Sequence, residues 1–223
     1  MLQDTSVGGL LVVGLYLDSH AMAFWRRQGV PIVLVDAYDE QELFDAVVTD
    51  NQVGAYTATR YLIDRGHRRI ALLGSSPDAF PSIQERRAGY TRAMVEAGLE
   101  PIFVDCLLDD EPAQDAMRQF LGAGGDVSAV VGANDLVALA AMRTAQQMGK
   151  RVPEDISFVG FDDIAPSRHV TPPLTTMEVD KLGMGRMAVQ LLMYRNEYPD
   201  AARACVALRP RLIERQSVRV IDG

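Results

Sequence analysis

From Asn51 to Gly74 the chain reads NQVGAYTATRYLIDRGHRRIALLG: a helical segment, a turn and a strand in immediate succession. Asn51 is a residue type that caps helices, and Gly66 can adopt the left-handed conformation that ends one. Arg69-Ile-Ala-Leu-Leu-Gly74 is a short apolar run without alternation, the pattern of a strand buried on both faces. Such a strand needs helices above and below it, so this unit predicts a parallel sheet rather than a meander of hairpins.

The same alternation extends in both directions. Upstream, Gly9–Val13, Pro31–Val35 and Ala46–Thr49 read as strands, with a helix predicted from about Ser19 to Gly29. Downstream, strands at Ile102–Asp105, Ala129–Gly132 and Ile156–Gly160 alternate with helices. One helix carries Tyr90, Ala93, Met94 and Ala97 on a single face; the others span Pro112–Leu121 and Leu136–Met148. The last of these is apolar almost all round and belongs in a covered, central position. Beyond Gly160 come a proline-stiffened passage, Thr171–Thr176, a helix with Met184, Met187, Ala188 and Leu191, and an extended run from Val206 to Ile213. A chain that continues past a finished βα series returns to an earlier lobe. Two α/β lobes with parallel sheets, joined by several crossings, are therefore expected.

Composition narrows the function. The 223 residues are 48% hydrophobic, with 22 Lys and Arg against 30 Asp and Glu, a net charge of −8. That is core-forming material with too little positive charge to grip nucleic-acid phosphates. Two cysteines, Cys106 and Cys205, provide no disulfide framework and fit a reducing, cytoplasmic setting. No apolar run approaches a membrane span, and the first residues lack a secretory signal pattern.

In open parallel α/β sheets, ligands bind beyond the carboxyl ends of the strands. That rule selects Asp36, Ser75 and Ser76, Asn134 and Asp135, and Asp162 and Asp163. Arg86, at the start of a helix after the Ser75–Ser82 loop, is within reach of the same crevice. Carboxylates, an amide and a guanidinium together match the donors and acceptors of vicinal hydroxyls, as in a sugar, polyol or ribose. Each of the Asp and Asn residues also has a plain alternative as a helix cap or turn residue.

Other chemistries lack their signatures. No glycine-rich phosphate loop follows a strand, and no nucleophile elbow is present. His20, His67 and His169 have no metal-ligand spacing, so neither a metal nor a cofactor is expected. Asp109-Asp-Glu111 reads as a solvated acidic loop. Arg65, His67, Arg68 and Arg69 read as a solvated basic turn at the amino end of their strand.

Seven passages stand in a characteristic order: Thr49–Tyr56, Arg65–Ile70, Arg86–Tyr90, Gly132–Leu136, Val152–Asp163, Pro172–Thr176 and Arg211–Ser217. Together they resemble the effector-binding core of the lactose-repressor/galactose-repressor (LacI/GalR) family of bacterial transcription regulators, from about Gly9 onward. The resemblance implies two Rossmann-like lobes of the type I periplasmic-binding-protein kind. Their expected composition is residues 1–49 plus 178–209 for an incomplete first lobe, and 50–177 plus 210–223 for the second. Crossings would fall near Thr49, Met177 and Pro210. By position, Asp36, Arg86, Asn134 and Asp162 match the family's polar effector ligands. Arg86 would anchor ligand oxygens, Asp36 and Asp162 would accept from hydroxyls, and Asn134 would do both.

The implied function is that of a non-enzymatic, cytoplasmic repressor core, expected to be homodimeric. A small sugar-like effector would bind between the lobes and alter affinity for operator DNA. The family's helix-turn-helix headpiece and the opening βαβα segment of its first lobe have no counterpart in these residues, so operator contact would rest on a headpiece absent here. The loop at Asp109–Pro112 lacks the aromatic that several relatives stack on the ligand. A solute-binding protein of a sugar importer and a sugar-active enzyme are the competing readings. The first would carry an export signal, and the second a poised general base.

Overall fold

The short apolar runs become the strands of two separate sheets. In chain order the strands are β1 (Leu10–Val13), β2 (Ile32–Val35), β3 (Asp45–Thr49), β4 (Ile70–Leu73), β5 (Ile102–Val104), β6 (Ala129–Gly132), β7 (Ser157–Asp162), β8 (Thr175–Glu178), β9 (Cys205–Leu208) and β10 (Arg211–Ile213). The α-helices whose bounds fall among the described residues are α1 (Asn51–Asp64), α2 (Pro81–Glu96), α3 (Asp110–Gly122), α4 (Asp135–Gln147) and α5 (Lys181–Glu197). This computed structural model describes residues 8–14, 24, 27, 29–37, 39 and 43–221. The helix expected from about Ser19 to Gly29 lies almost wholly outside the described residues.

The chain divides into two compact units. Unit 1 is Met1–Thr49 with Asp180–Leu208, and unit 2 is Asp50–Val179 with Arg209–Gly223. Unit 1 holds a four-stranded sheet of order β1-β2-β3-β9, parallel throughout. Its interior is anchored by a buried ion pair: Arg195 of α5 grips Asp45 at the start of β3 through Nε (2.7 Å) and Nη2 (2.8 Å). Remaining N–H groups of Arg195 donate to the carbonyls of Ala201 and Ala202 and so shape the turn from α5 into β9. On the other side of α5, Leu182, Val189 and Met193 are exposed.

Unit 2 holds a six-stranded sheet of order β10-β8-β7-β6-β4-β5. All its pairings are parallel except β10 with β8, which is antiparallel, a departure from the purely parallel expectation. Both faces are covered. Ala58 and Leu62 of α1 and Tyr90 and Met94 of α2 pack on one face with Leu72, Val131 and Phe161. On the other, Met117 of α3 and Val137, Ala141 and Met142 of α4 pack with Leu73, Val130 and Phe158. That double covering is why these strands read as unbroken apolar runs.

Several sequence expectations change in three dimensions. The cap of α1 is Asp50, whose carboxylate accepts from Val53 N at 3.1 Å, while Asn51 is the first helical residue and fully buried. Asp109 to Glu111 form no loop: Asp109 caps α3, and the next two acids occupy its first turn, where the helix dipole favours them. His67 leaves the solvated basic cluster and is buried, with Nδ1 2.9 Å from Ser128 Oγ and Nε2 3.2 Å from the Arg219 carbonyl. The extended run from Val206 to Ile213 is two strands, β9 in unit 1 and β10 in unit 2, with the division between units at Leu208 and Arg209.

Candidate functional site

The strand order of unit 2 places its site. From β4 the chain crosses to β5 at one edge, then returns to pair β6 on the opposite side of β4. The sheet therefore has its topological switch point between β4 and β6, the place at which open α/β sheets bind ligands beyond their carboxyl ends. Ser75 follows β4 there, and Ala133, Asn134 and Asp135 follow β6.

Arg86 reaches into this region from α2. The helix begins with Pro81, whose missing N–H is harmless in a first turn, and its buried stripe is Ile83, Arg86, Gly89, Tyr90, Ala93 and Met94. A guanidinium thus occupies a core position and is only 6% exposed. A buried cation must be paired and hydrogen-bonded, and this one is. Nε donates to Asn51 Oδ1 (2.9 Å), Nη1 to the Ala133 carbonyl (2.6 Å) and Nη2 to Asp162 Oδ1 (3.1 Å). The guanidinium carbon lies 3.7 Å from the centre of the Phe161 ring, a cation–π contact on the sheet side. Close packing of the two helices supports this arrangement: a Cβ on Gly89 would collide with the Gln52 carbonyl of α1.

Asp162 ends β7 with φ of 109°, and Asp163 follows at 46°. Left-handed backbone is unfavourable for residues other than glycine and persists where surroundings impose it, often at functional sites. Asp162 is half-exposed with its carboxylate turned to Arg86. Asp163 is buried between Arg215 (2.6 Å) and Arg168 (2.7 Å). Burial alone would raise its carboxyl, but the hydrogen bonds of those arginines prevail and hold it below the ordinary range.

Asn134 caps α4, its Oδ1 accepting from Val137 N at 2.8 Å, while its amide nitrogen makes no hydrogen bond among the described residues. Asp135 is fully buried and accepts from Ile164 N (2.8 Å), Ser167 Oγ (2.6 Å) and Thr176 Oγ1. Burial pushes its carboxyl up to about 6 despite these donors. It ties the segment that follows β7 to Thr176, the second residue of β8.

Within unit 1, Asp36 directly follows β2 and is exposed, with φ of 51°. Its N–H donates to the Val47 carbonyl at 2.9 Å, fixing the turn at the carboxyl ends of β2 and β3. Among the described residues, the non-glycine positive-φ positions are Asp36, Asp162 and Asp163.

Unit 2 thus brings Arg86 and Asp162 into direct contact and sets Asn134 immediately after Ala133, whose carbonyl takes Arg86 Nη1. Sequence reasoning missed Asn51 as a partner of Arg86. It also missed Arg87, which donates to Ser75 and Asp105 and lies over the Phe103 ring. One available signal was an arginine falling on an otherwise apolar helical stripe, because a buried cation demands acceptors from neighbouring elements. Among the described residues, no group of three or more His, Cys, Asp or Glu could hold a metal. Among the described residues, no helix is long and apolar enough to cross a membrane.

Residues 59–218 match the periplasmic binding protein-like domain family. The chain is 32% identical over 226 residues to the HTH-type transcriptional repressor PurR of Photobacterium profundum, covering 100% of this chain and 67% of that protein. The chain belongs to the LacI/GalR family of transcriptional regulators. Solved structures of the LacI/GalR type agree in fold. A CelR–cellobiose complex superposes with a TM-score of 0.82 at 33% identity, over 95% of this chain and 66% of that one. The lac repressor dimer bound to operator and the anti-inducer ONPF gives 0.83 at 27% identity, over 95% and 74%. These LacI/GalR relatives are regulators rather than enzymes.

Proposed function

We propose that this chain is the effector-sensing core of a bacterial transcriptional repressor, binding a small hydroxylated ligand, a sugar or sugar derivative. The observation that carries this reading is the Arg86–Asp162 pair at the switch point. A buried guanidinium has three of its five N–H groups engaged, leaving two for ligand oxygens. Asp162 accepts from ligand hydroxyls, and the Asn134 amide donates. The cellobiose held by a related regulator supports a sugar as the ligand class.

Effector binding acts by favouring one conformational state of the protein over another, which shifts operator affinity. Assembly as a homodimer in the cytoplasm belongs to the same reading, supported by the dimeric lac repressor.

The test is a thermal-shift screen of wild type and Arg86→Ala against mono- and disaccharides, sugar phosphates and purines. A ligand should raise the melting temperature of wild type and leave the variant's unchanged. Equal stabilisation of both proteins would put the ligand elsewhere.

A further inference from the structure

We infer that unit 1 carries a small-molecule site of its own, which takes a monocarboxylate with an apolar body and holds the carboxylate on Arg203. The site is a cavity of about 360 Å³ at the amino ends of β2 and β3, the opposite end of β2 from Asp36. That volume falls within the roughly 300–1,000 Å³ of small-molecule pockets.

Three parts of unit 1 form the walls. Val30 and Pro31 lead into β2, Leu43 and Phe44 lead into β3, and the third wall runs from the last turn of α5 to the turn that enters β9. Two of these walls are pinned by hydrogen bonds: Leu10 N donates to the Pro31 carbonyl at 2.8 Å, and Leu43 N to Asp39 Oδ2 at 2.7 Å. The four apolar side chains are only partly buried, so their remaining surface gains from contact with hydrocarbon.

Two arginines line the cavity, and they differ in what they have left to give. Arg195 is 4% exposed and fully engaged. Nε and Nη2 donate to Asp45, and the other N–H groups donate to the carbonyls of Pro199, Ala201 and Ala202. Arg203 is committed to nothing so close. Its contact is Asp45 Oδ2 at 3.9 Å, beyond hydrogen-bond reach, and among the described residues no other acid lies within ion-pair distance. Nor does Asp45 need it, because Arg195 and the Ala204 N–H already supply that carboxylate with donors. Arg195 and Asp45 cancel, which leaves Arg203 as the uncompensated charge of this group. A guanidinium fork matches one carboxylate in a bidentate pair, and the apolar walls take the rest of such a ligand.

Benzoate is the probe, with benzyl alcohol as its uncharged counterpart and inorganic phosphate as an anion without an apolar body. Each is titrated into wild type, Arg203→Ala, Leu43→Trp and Arg86→Ala and followed by ligand-observed NMR, with folding checked by circular dichroism. Wild type and Arg86→Ala should bind benzoate saturably in the millimolar range. Arg203→Ala should bind it at least about tenfold more weakly, having lost a charge-assisted pair. Leu43→Trp, which fills the cavity and keeps the arginine, should weaken it as much. Benzyl alcohol and phosphate should each bind wild type at least about tenfold more weakly than benzoate does.

No saturable benzoate binding by wild type overturns the inference, and so does binding that Arg203→Ala leaves unchanged. Binding lost in Arg203→Ala but untouched by Leu43→Trp is surface ion pairing, and overturns the cavity as the site. Phosphate bound as tightly as benzoate overturns the ligand class. Benzoate binding abolished by Arg86→Ala would move the probe to unit 2 and overturn the inference while leaving the effector reading in place.

Discussion

Asn51 Oδ1 accepts the Nε–H of Arg86 at 2.9 Å, joining the first residue of α1 to a guanidinium on α2. Asn51 is fully buried and lies two residues after Thr49, where unit 1 gives way to unit 2. The second residue of unit 2 thus holds one N–H of the proposed ligand anchor.

Replacing Asn51 with Ala removes the acceptor of a buried charged donor. Unfolding of unit 2 by urea should show a loss of about 1–3 kcal/mol, the cost of an unsatisfied buried polar group. Asn51→Asp restores an acceptor but places a third carboxylate beside Glu85 and Asp162, so it should recover only part of that loss. Full stability in Asn51→Ala would mean that Arg86 finds another partner there.

The Asp45–Arg195 pair predicts a larger effect in unit 1. Burial would raise the Asp45 carboxyl, but the hydrogen bonds from Arg195 and Ala204 N and the Arg203 charge outweigh it and keep it below its ordinary range. A carboxylate so depressed adds stability above the unfolded value near 3.8, and that contribution is lost as pH falls through the folded value. Arg195→Met strands Asp45 in the interior and should cost about 3–5 kcal/mol. Denaturation curves at neutral pH measure it, and a change below about 1 kcal/mol would contradict the prediction.

Two buried groups make opposite contributions on the acid side of neutrality. His67 is lowered chiefly by burial, against its hydrogen bond to the Arg219 carbonyl, with the Arg219 and Arg65 charges adding to the lowering. Its unfolded form takes up a proton below about 6.5 while the native form does not, so its contribution is present above that pH and declines below it. Asp135, raised to about 6, behaves in the reverse sense: it favours the native state below the unfolded value near 3.8 and loses that contribution as pH rises through about 6. Each proton bounds the slope at about 1.4 kcal/mol per pH unit. His67→Gln should flatten the loss of stability between pH 6.5 and 5, whereas Asp135→Asn should steepen it. Melting temperatures across that range, with identical slopes in all three proteins, would refute both assignments.

Gly89→Ala tests the helix contact that supports Arg86. An added Cβ would overlap the Gln52 carbonyl and crowd Tyr56 N, so α1 and α2 must separate. A cost of about 1–3 kcal/mol is expected, as for overpacking in a tight interior. Ligand binding through Arg86 should weaken as well, because Asn51 moves with α1. Ala at Gly98, where a Cβ meets open space and only the positive φ is strained, serves as the comparison.

The first seven strands, the helices on both faces of unit 2 and the strand-end positions of Asp36, Asn134 and Asp162 were legible in the sequence, whereas β8 was read only as a proline-stiffened passage and β9 and β10 as one extended run. Burial on two faces writes an uninterrupted apolar run, and helical burial writes a repeat near 3.6 residues, so both are periodic signals within one segment. Capping was legible only to within one residue: Asn51 and Asp50 are both good cap types, and which one faces Val53 N depends on where the chain leaves β3.

What only the tertiary structure decided is which distant groups meet. Asn51 with Arg86, Asp45 with Arg195 and His67 with Ser128 are separated by 35, 150 and 61 residues. Nothing periodic in the chain records such pairings. They arise because burying a polar or charged group is tolerable only when another element supplies its partner, and the packing of the sheets selects that partner. The sequence alone determined that an arginine would occupy the apolar stripe of α2. The fold decided that Asn51, Ala133 and Asp162 would receive it.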